Sequence, residues 1–79
     1  MEVEGTVGFR VADAAGGRIG LVESMLHGTA PNRADAIAVR SGHLLHRHYI
    51  VPAELVTAVD RERHLIEVRL GRDRLQRFL

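Results

Sequence analysis

Cysteine, tryptophan and lysine are all missing from this chain, and only Phe9, Tyr49 and Phe78 are aromatic. Without cysteine there is no disulfide, no thiol nucleophile and no cysteine-ligated zinc. So few aromatic rings leave no platform on which single-stranded bases could stack. A long apolar run is missing too. No stretch approaches the roughly 18 apolar residues of a membrane-spanning helix, and the opening MEVEGTVGFR is acidic and mixed. No membrane span, signal peptide or lipid anchor is expected, and a cytoplasmic location is the default. Charge of one sign is also lacking. The formal net charge of +1 is not the composition of a dedicated polyanion binder. All basic residues are arginine, which we read as coding bias; a choice made for bidentate phosphate contacts would require a cluster.

With 79 residues there is room for one core, so residues 1–79 are read as a single domain. A chain this short buries only about 60% of its unfolded surface, which leaves a thin margin of stability. Either the core packs efficiently, or a partner subunit covers part of the apolar surface.

The dominant pattern has period two. In TVGFRVAD, Val7, Phe9 and Val11 share a face; in DAIAVR, Ile37 and Val39 do; in LIEVRL, Ile66, Val68 and Leu70 do. Such alternation lets one side of a pleated strand bury while the other stays wet. HRHYIVP is a further strand, ended by a proline that cannot donate to a ladder. AELVTAVD gives a short turn and then a strand. RIGLVESMLHG is less regular, because Ile19 and Leu21 share one face while Gly20, Val22 and Leu26 share the other. A bulge near Glu23–Ser24 that flips the register accounts for it.

VADAAGGRIG poses a choice between a phosphate cradle and a hairpin. A cradle needs its glycines to lead into a helix, whose N-terminus supplies the anion site. Here they lead into the strand-like Arg18-Ile19-Gly20-Leu21-Val22. The hairpin is the expectation, with Gly20 allowing another backbone or a bulky side chain to pass closely. The longest connection, GTAPNRAD, is expected to be exposed. At the end, GRDRLQRFL predicts one or two helical turns, with Asp73 as cap and Leu75, Phe78 and Leu79 at i, i+3 and i+4. The expected fold is therefore all-β: a small six-stranded antiparallel barrel with a short C-terminal helix.

The order of these features resembles the PRC-barrel family over almost the whole chain. Gly8-Phe9-Arg10-Val11-Ala12-Asp13 is similar to the family's opening, followed by Gly16 or Gly17, Ile19-Gly20 and Val22. Ile50-Val51-Pro52, Val56 to Asp60 and Ile66-Glu67-Val68 are similar to its second half. The resemblance implies a barrel of this size acting as a binding or assembly module. Known members include the cytoplasmic domain of the photosynthetic reaction-centre H subunit and the C-terminal domain of a ribosome-maturation factor. The membrane helix of the first and the N-terminal domain of the second have no counterpart here, so neither role carries over.

Candidate sites follow from single residues and pairs. His46 and His48, two apart, point the same way on a strand and are the candidate metal ligands. A closed zinc site needs further ligands, for which His27, His64 and Asp35 are the choices; the alternative is an exposed polar face. Histidines at a contact surface could also make it pH-sensitive. Arginines crowd the last third, from Arg61 to Arg77, and suggest either a solvated face or a weak RNA-facing patch. Hydroxyl, acid and histidine residues show no spacing for a nucleophile and its base, so no catalytic residue, cofactor or enzymatic activity is expected. The expected function is a non-catalytic binding or assembly module that works through protein–protein contacts and associates with itself, as a homodimer. An RNA- or ribosome-associated accessory is the first alternative and a histidine-based metal-binding protein the second. The expected contact residues are Arg47 and Tyr49, Pro31 and Arg33 in the long connection, and Leu75 and Phe78 in the C-terminal segment.

Overall fold

A computed structural model describes residues 2–28, 34–42 and 47–69, and the backbone of residues 76–78. The protein is all-β. Strands β1 (Arg10–Asp13), β2 (Arg18–His27), β3 (Ala34–Ser41), β4 (Arg47–Pro52), β5 (Val56–Asp60), β6 (Leu65–Val68) and β7 (Gln76–Phe78) form one sheet in the order β5-β6-β1-β2-β3-β4-β7. Six strands fall where the alternation predicts them.

Three expectations need correction. The sheet is mixed, because β1 and β6 run parallel while the other neighbours are antiparallel. The cause lies at Pro52 and the 3-10 turn Ala53–Leu55. These residues carry the chain away from β4, with no hairpin between β4 and β5. The chain then reverses at the 61–64 turn, and β6 comes to lie beside β1. Second, the sheet is not a closed barrel, since no ladder joins β5 to β7 among the described residues. Third, Gln76–Phe78 is a strand paired with β4, where a helix was expected. The three apolar residues at helical spacing do not outweigh the offer of backbone partners along an open sheet edge.

Although open, the sheet is strongly curled. In a flat sheet β5 and β4 would lie five spacings apart, about 24 Å. The connection between them is the three-residue turn Ala53–Leu55, and a link of that length reaches only about 14 Å from strand end to strand end. The two sides must therefore approach, while the Arg69 amide, donating to the Leu55 carbonyl at 3.0 Å, extends the β5–β6 ladder into that turn.

Curling gathers the inward rows into one core: Val11, Ile19, Val22, Ile37, Val39, Tyr49, Val51, Val56, Ile66 and Val68. Valine and isoleucine dominate because a β-branched side chain is stiff at χ1 and fits a pleated, buried surface. Two devices supply the curvature. A register shift between Val22 and Ser24 marks the bulge expected there; Val22 then stays inside opposite Val39, and Ser24 moves outside opposite Ala38. At Gly20, an added Cβ would lie 2.9 Å from the Arg40 carbonyl carbon and 3.0 Å from Val39 Cγ1. Only glycine lets β2 pass so close to β3.

The segment before β1 departs from the alternation. Val7 is exposed, whereas Val3, Thr6 and Phe9 are buried. Turns at residues 4–8 break the strand period, and β1 starts only at Arg10. Thr6 donates its hydroxyl to the Val3 carbonyl at 2.6 Å, which satisfies the one buried polar side chain among the described residues. The Glu4 carboxylate lies 2.7 Å from His27 Nε2, and Arg61 donates to the Glu4 carbonyl at 3.1 Å. These bonds hold Val3 against the core.

Candidate binding surfaces

The glycine-rich stretch is a hairpin. Asp13 and Gly17 are joined by a backbone bond of 2.8 Å, Gly16 adopts φ +86°, and the chain continues directly into β2. Asp13 Oδ1 accepts from the Ala15 amide at 2.9 Å and from the Gly17 amide at 2.7 Å. A carboxylate from the chain itself thus occupies the amides that a phosphate cradle would have to present.

One side of this hairpin forms the wall of an open groove of about 510 Å³, lined by Arg10, Arg18, Asp13, Arg63, Leu65 and Glu67 among others. Arg10 and Leu65 are register partners on β1 and β6, and Ala12 pairs with Glu67. The 61–64 turn brings in Arg63. Asp60 Oδ1 shapes that turn by accepting the amides of Glu62 and Arg63 at 3.1 and 3.0 Å. His64 closes it with φ +53° and lays its ring against Phe9, centroids 4.9 Å apart. Arg10 donates to the Arg63 carbonyl at 3.3 Å.

The second surface is the outer face of β2, β3 and β4. Cross-strand register sets its rows: Leu21, Arg40 and His48; Ser24, Ala38 and Ile50; Leu26, Ala36 and Pro52. Leu21 is 42% and Leu26 36% exposed, the largest apolar side chains on this face to reach solvent so far. Ala38 is shielded to 4% yet stands outside the core cluster, as its outward position requires. His48 Nε2 lies 3.5 Å from the Glu23 carboxylate, which the bulge has turned toward it.

The expected site residues divide. Arg47 is exposed at the start of β4. Tyr49 is 5% exposed and packs in the core, so it is not a surface contact residue; its position between Arg47 and Val51 on the inward row decides this. His46, Pro31, Arg33 and Leu75 lie outside the described residues, and of Phe78 only the backbone is described, paired with His48. His27 and His64 do not join His48: one meets Glu4 and the other Phe9. Among the described residues no three His, Asp or Glu side chains converge as metal ligands, and no helix is long and apolar enough to cross a membrane. The groove was missed in the sequence because Arg63 is brought to Arg10 and Arg18 of the first hairpin only by the β1–β6 pairing, which no local pattern announces. Compared with known proteins, the chain matches no family model, and no curated protein matches it in sequence.

Proposed function

We propose that this protein is a non-catalytic assembly module of PRC-barrel type that works through protein–protein contacts, the first of them with a second copy of itself. The observation that carries the reading is the outer face of β2, β3 and β4, where exposed Leu26 stands beside half-buried Ala36 and Pro52, half-buried Ile50 lies in the next row and exposed Leu21 in the row beyond. Contiguous apolar surface on a small domain marks a contact site. Charge argues for a second copy as the occupant. The face carries both signs of charge: exposed Glu23, which the bulge turns toward His48, and exposed Arg40 on β3. A two-fold axis normal to this face can set Glu23 of each copy against Arg40 of the other, as an isologous interface requires. The PRC-barrel resemblance is supported by the placement of its motif: Asp13 and Gly17 build the first hairpin, and Pro52 opens the turn before β5.

Sedimentation equilibrium of the whole chain tests this. The wild type should dimerise, Leu21→Glu and Arg40→Asp should each weaken the dimer, and Arg40→Asp combined with Glu23→Arg should restore it. A wild type that stays monomeric at high concentration overturns the reading. A second reading, an RNA-associated accessory, is favoured by one observation: among the described residues Arg18 and Arg40, both exposed, form no ion pair. Retention of RNA at low salt, lost steeply as salt rises, would support it.

A further inference from the structure

We infer that the groove beside the first hairpin binds a phosphate-bearing anion. Three arginines from three parts of the chain line it: Arg10 from β1, Arg18 from the start of β2 and Arg63 from the 61–64 turn. Guanidinium groups repel one another, so a cluster of three calls for compensating charge. The groove supplies little. Two carboxylates line it against the three guanidinium groups, Asp13, whose Oδ1 is held by two backbone amides of the hairpin, and Glu67, so positive charge is left in excess. Arg10 donates to a neutral carbonyl, that of Arg63. Arg63 reaches Asp60 at 3.6 Å, a loose contact between exposed groups, and Asp60 already accepts two amides. Arg18 forms no ion pair among the described residues.

The arrangement therefore offers planar, permanently charged donors with spare hydrogen-bonding capacity. Such forks match the oxygens of a phosphate group better than any single lysine would. A volume of about 510 Å³ falls within the ~300–1,000 Å³ range of small-molecule sites. Ala12, Ala14, Ala15 and Leu65 add an apolar strip along the same groove, against which the organic part of a phosphate ester can lie. The hairpin amides play no part, because Asp13 holds them. The groove adjoins the outer β2–β4 face, since Arg10 is the register partner of Leu21, but its lining residues are different ones and its test reads them directly.

The test is a ¹⁵N NMR titration of the whole chain with sodium pyrophosphate at constant ionic strength. Saturable shifts should appear at the side-chain Nε–H groups of Arg10, Arg18 and Arg63 and at the amides of residues 14–17. Arg18→Gln and Arg63→Gln, both exposed and tolerated by the fold, should each weaken binding by about tenfold or more, the worth of a charge-assisted hydrogen bond. Arg47→Gln, on β4 and three strands along the sheet from β1, should leave binding unchanged. A parallel titration with a short single-stranded RNA separates the two sources of phosphate. Competition with pyrophosphate at the same arginines assigns the site to a nucleic-acid backbone; pyrophosphate binding alone assigns it to a small phosphate ester. Shifts that never saturate, equal responses at Arg47, or unchanged binding in both the Arg18 and Arg63 glutamine variants would overturn the inference.

Discussion

Replacing Gly20 with alanine tests how β2 and β3 are brought together. Gly20 has no left-handed φ, so in ordinary strand surroundings an alanine would stabilise the protein by about 0.4–1 kcal/mol through a less flexible unfolded chain. Here the new methyl would lie 2.9 Å from the Arg40 carbonyl carbon and 3.0 Å from Val39 Cγ1, and closer still to the Arg40 carbonyl oxygen. The obstacle is backbone, fixed by the β2–β3 and β3–β4 ladders on either side, so no side-chain rotation can relieve it. Overpacking of this kind costs about 1–3 kcal/mol, and a rigid neighbour puts it toward the upper end. After the entropic gain is subtracted, a net destabilisation of about 2 kcal/mol is expected. For 79 residues the whole stability is on the order of 4–12 kcal/mol. In a domain of this size 2 kcal/mol lowers Tm by roughly 8–16 °C. Circular dichroism melting and urea titration of wild type and Gly20→Ala measure it directly. An alanine variant as stable as the wild type, or more so, would refute the close approach and with it this account of the curl.

Asp13→Ala removes the acceptor for the Ala15 and Gly17 amides and should cost about 1–2 kcal/mol by urea titration; Asp13→Asn, which keeps a carbonyl oxygen, should cost less. Thr6→Val leaves the Val3 carbonyl without its buried donor and should cost about 1–3 kcal/mol, with Thr6→Ser recovering most of the loss. Glu4→Gln should change stability by no more than about 1 kcal/mol, because the Glu4–His27 pair is partly exposed and screened. Tyr49→Ala should cost about 3–5 kcal/mol, as expected for a large core side chain, and a melting curve close to wild type would return Tyr49 to the surface.

Much of the fold is legible in the residues themselves. Period-two alternation marks six strands, because one wet and one buried face is a local demand that any sheet makes. The irregular faces of Ile19, Leu21, Val22 and Leu26 announce the bulge at Glu23, and the glycines of the first turn announce a hairpin because a strand follows them. Alternation carries no sign of strand direction, so the parallel β1–β6 pairing stayed out of reach. That pairing depends on where the turn after Pro52 sends the chain, a matter of three-dimensional path. The same limit hid the arginine groove, whose members are 53 residues apart at Arg10 and Arg63.

Burial at the ends of the pattern was decided by tertiary structure as well. Tyr49 looks amphipathic beside Arg47 and His48, yet its inward position on β4 commits it to the core. Val7 looks like a core residue until the turns at 4–8 shift the strand's start. The C-terminal spacing of Phe78 suits a helix, but an unpaired β4 edge offers hydrogen bonds at once, and an isolated turn of helix must first meet the cost of nucleation. The chemistry of single residues and their near neighbours fixed which segments extend and where they turn. Contacts between distant segments settled which strands meet, in which direction, and which charges share a surface.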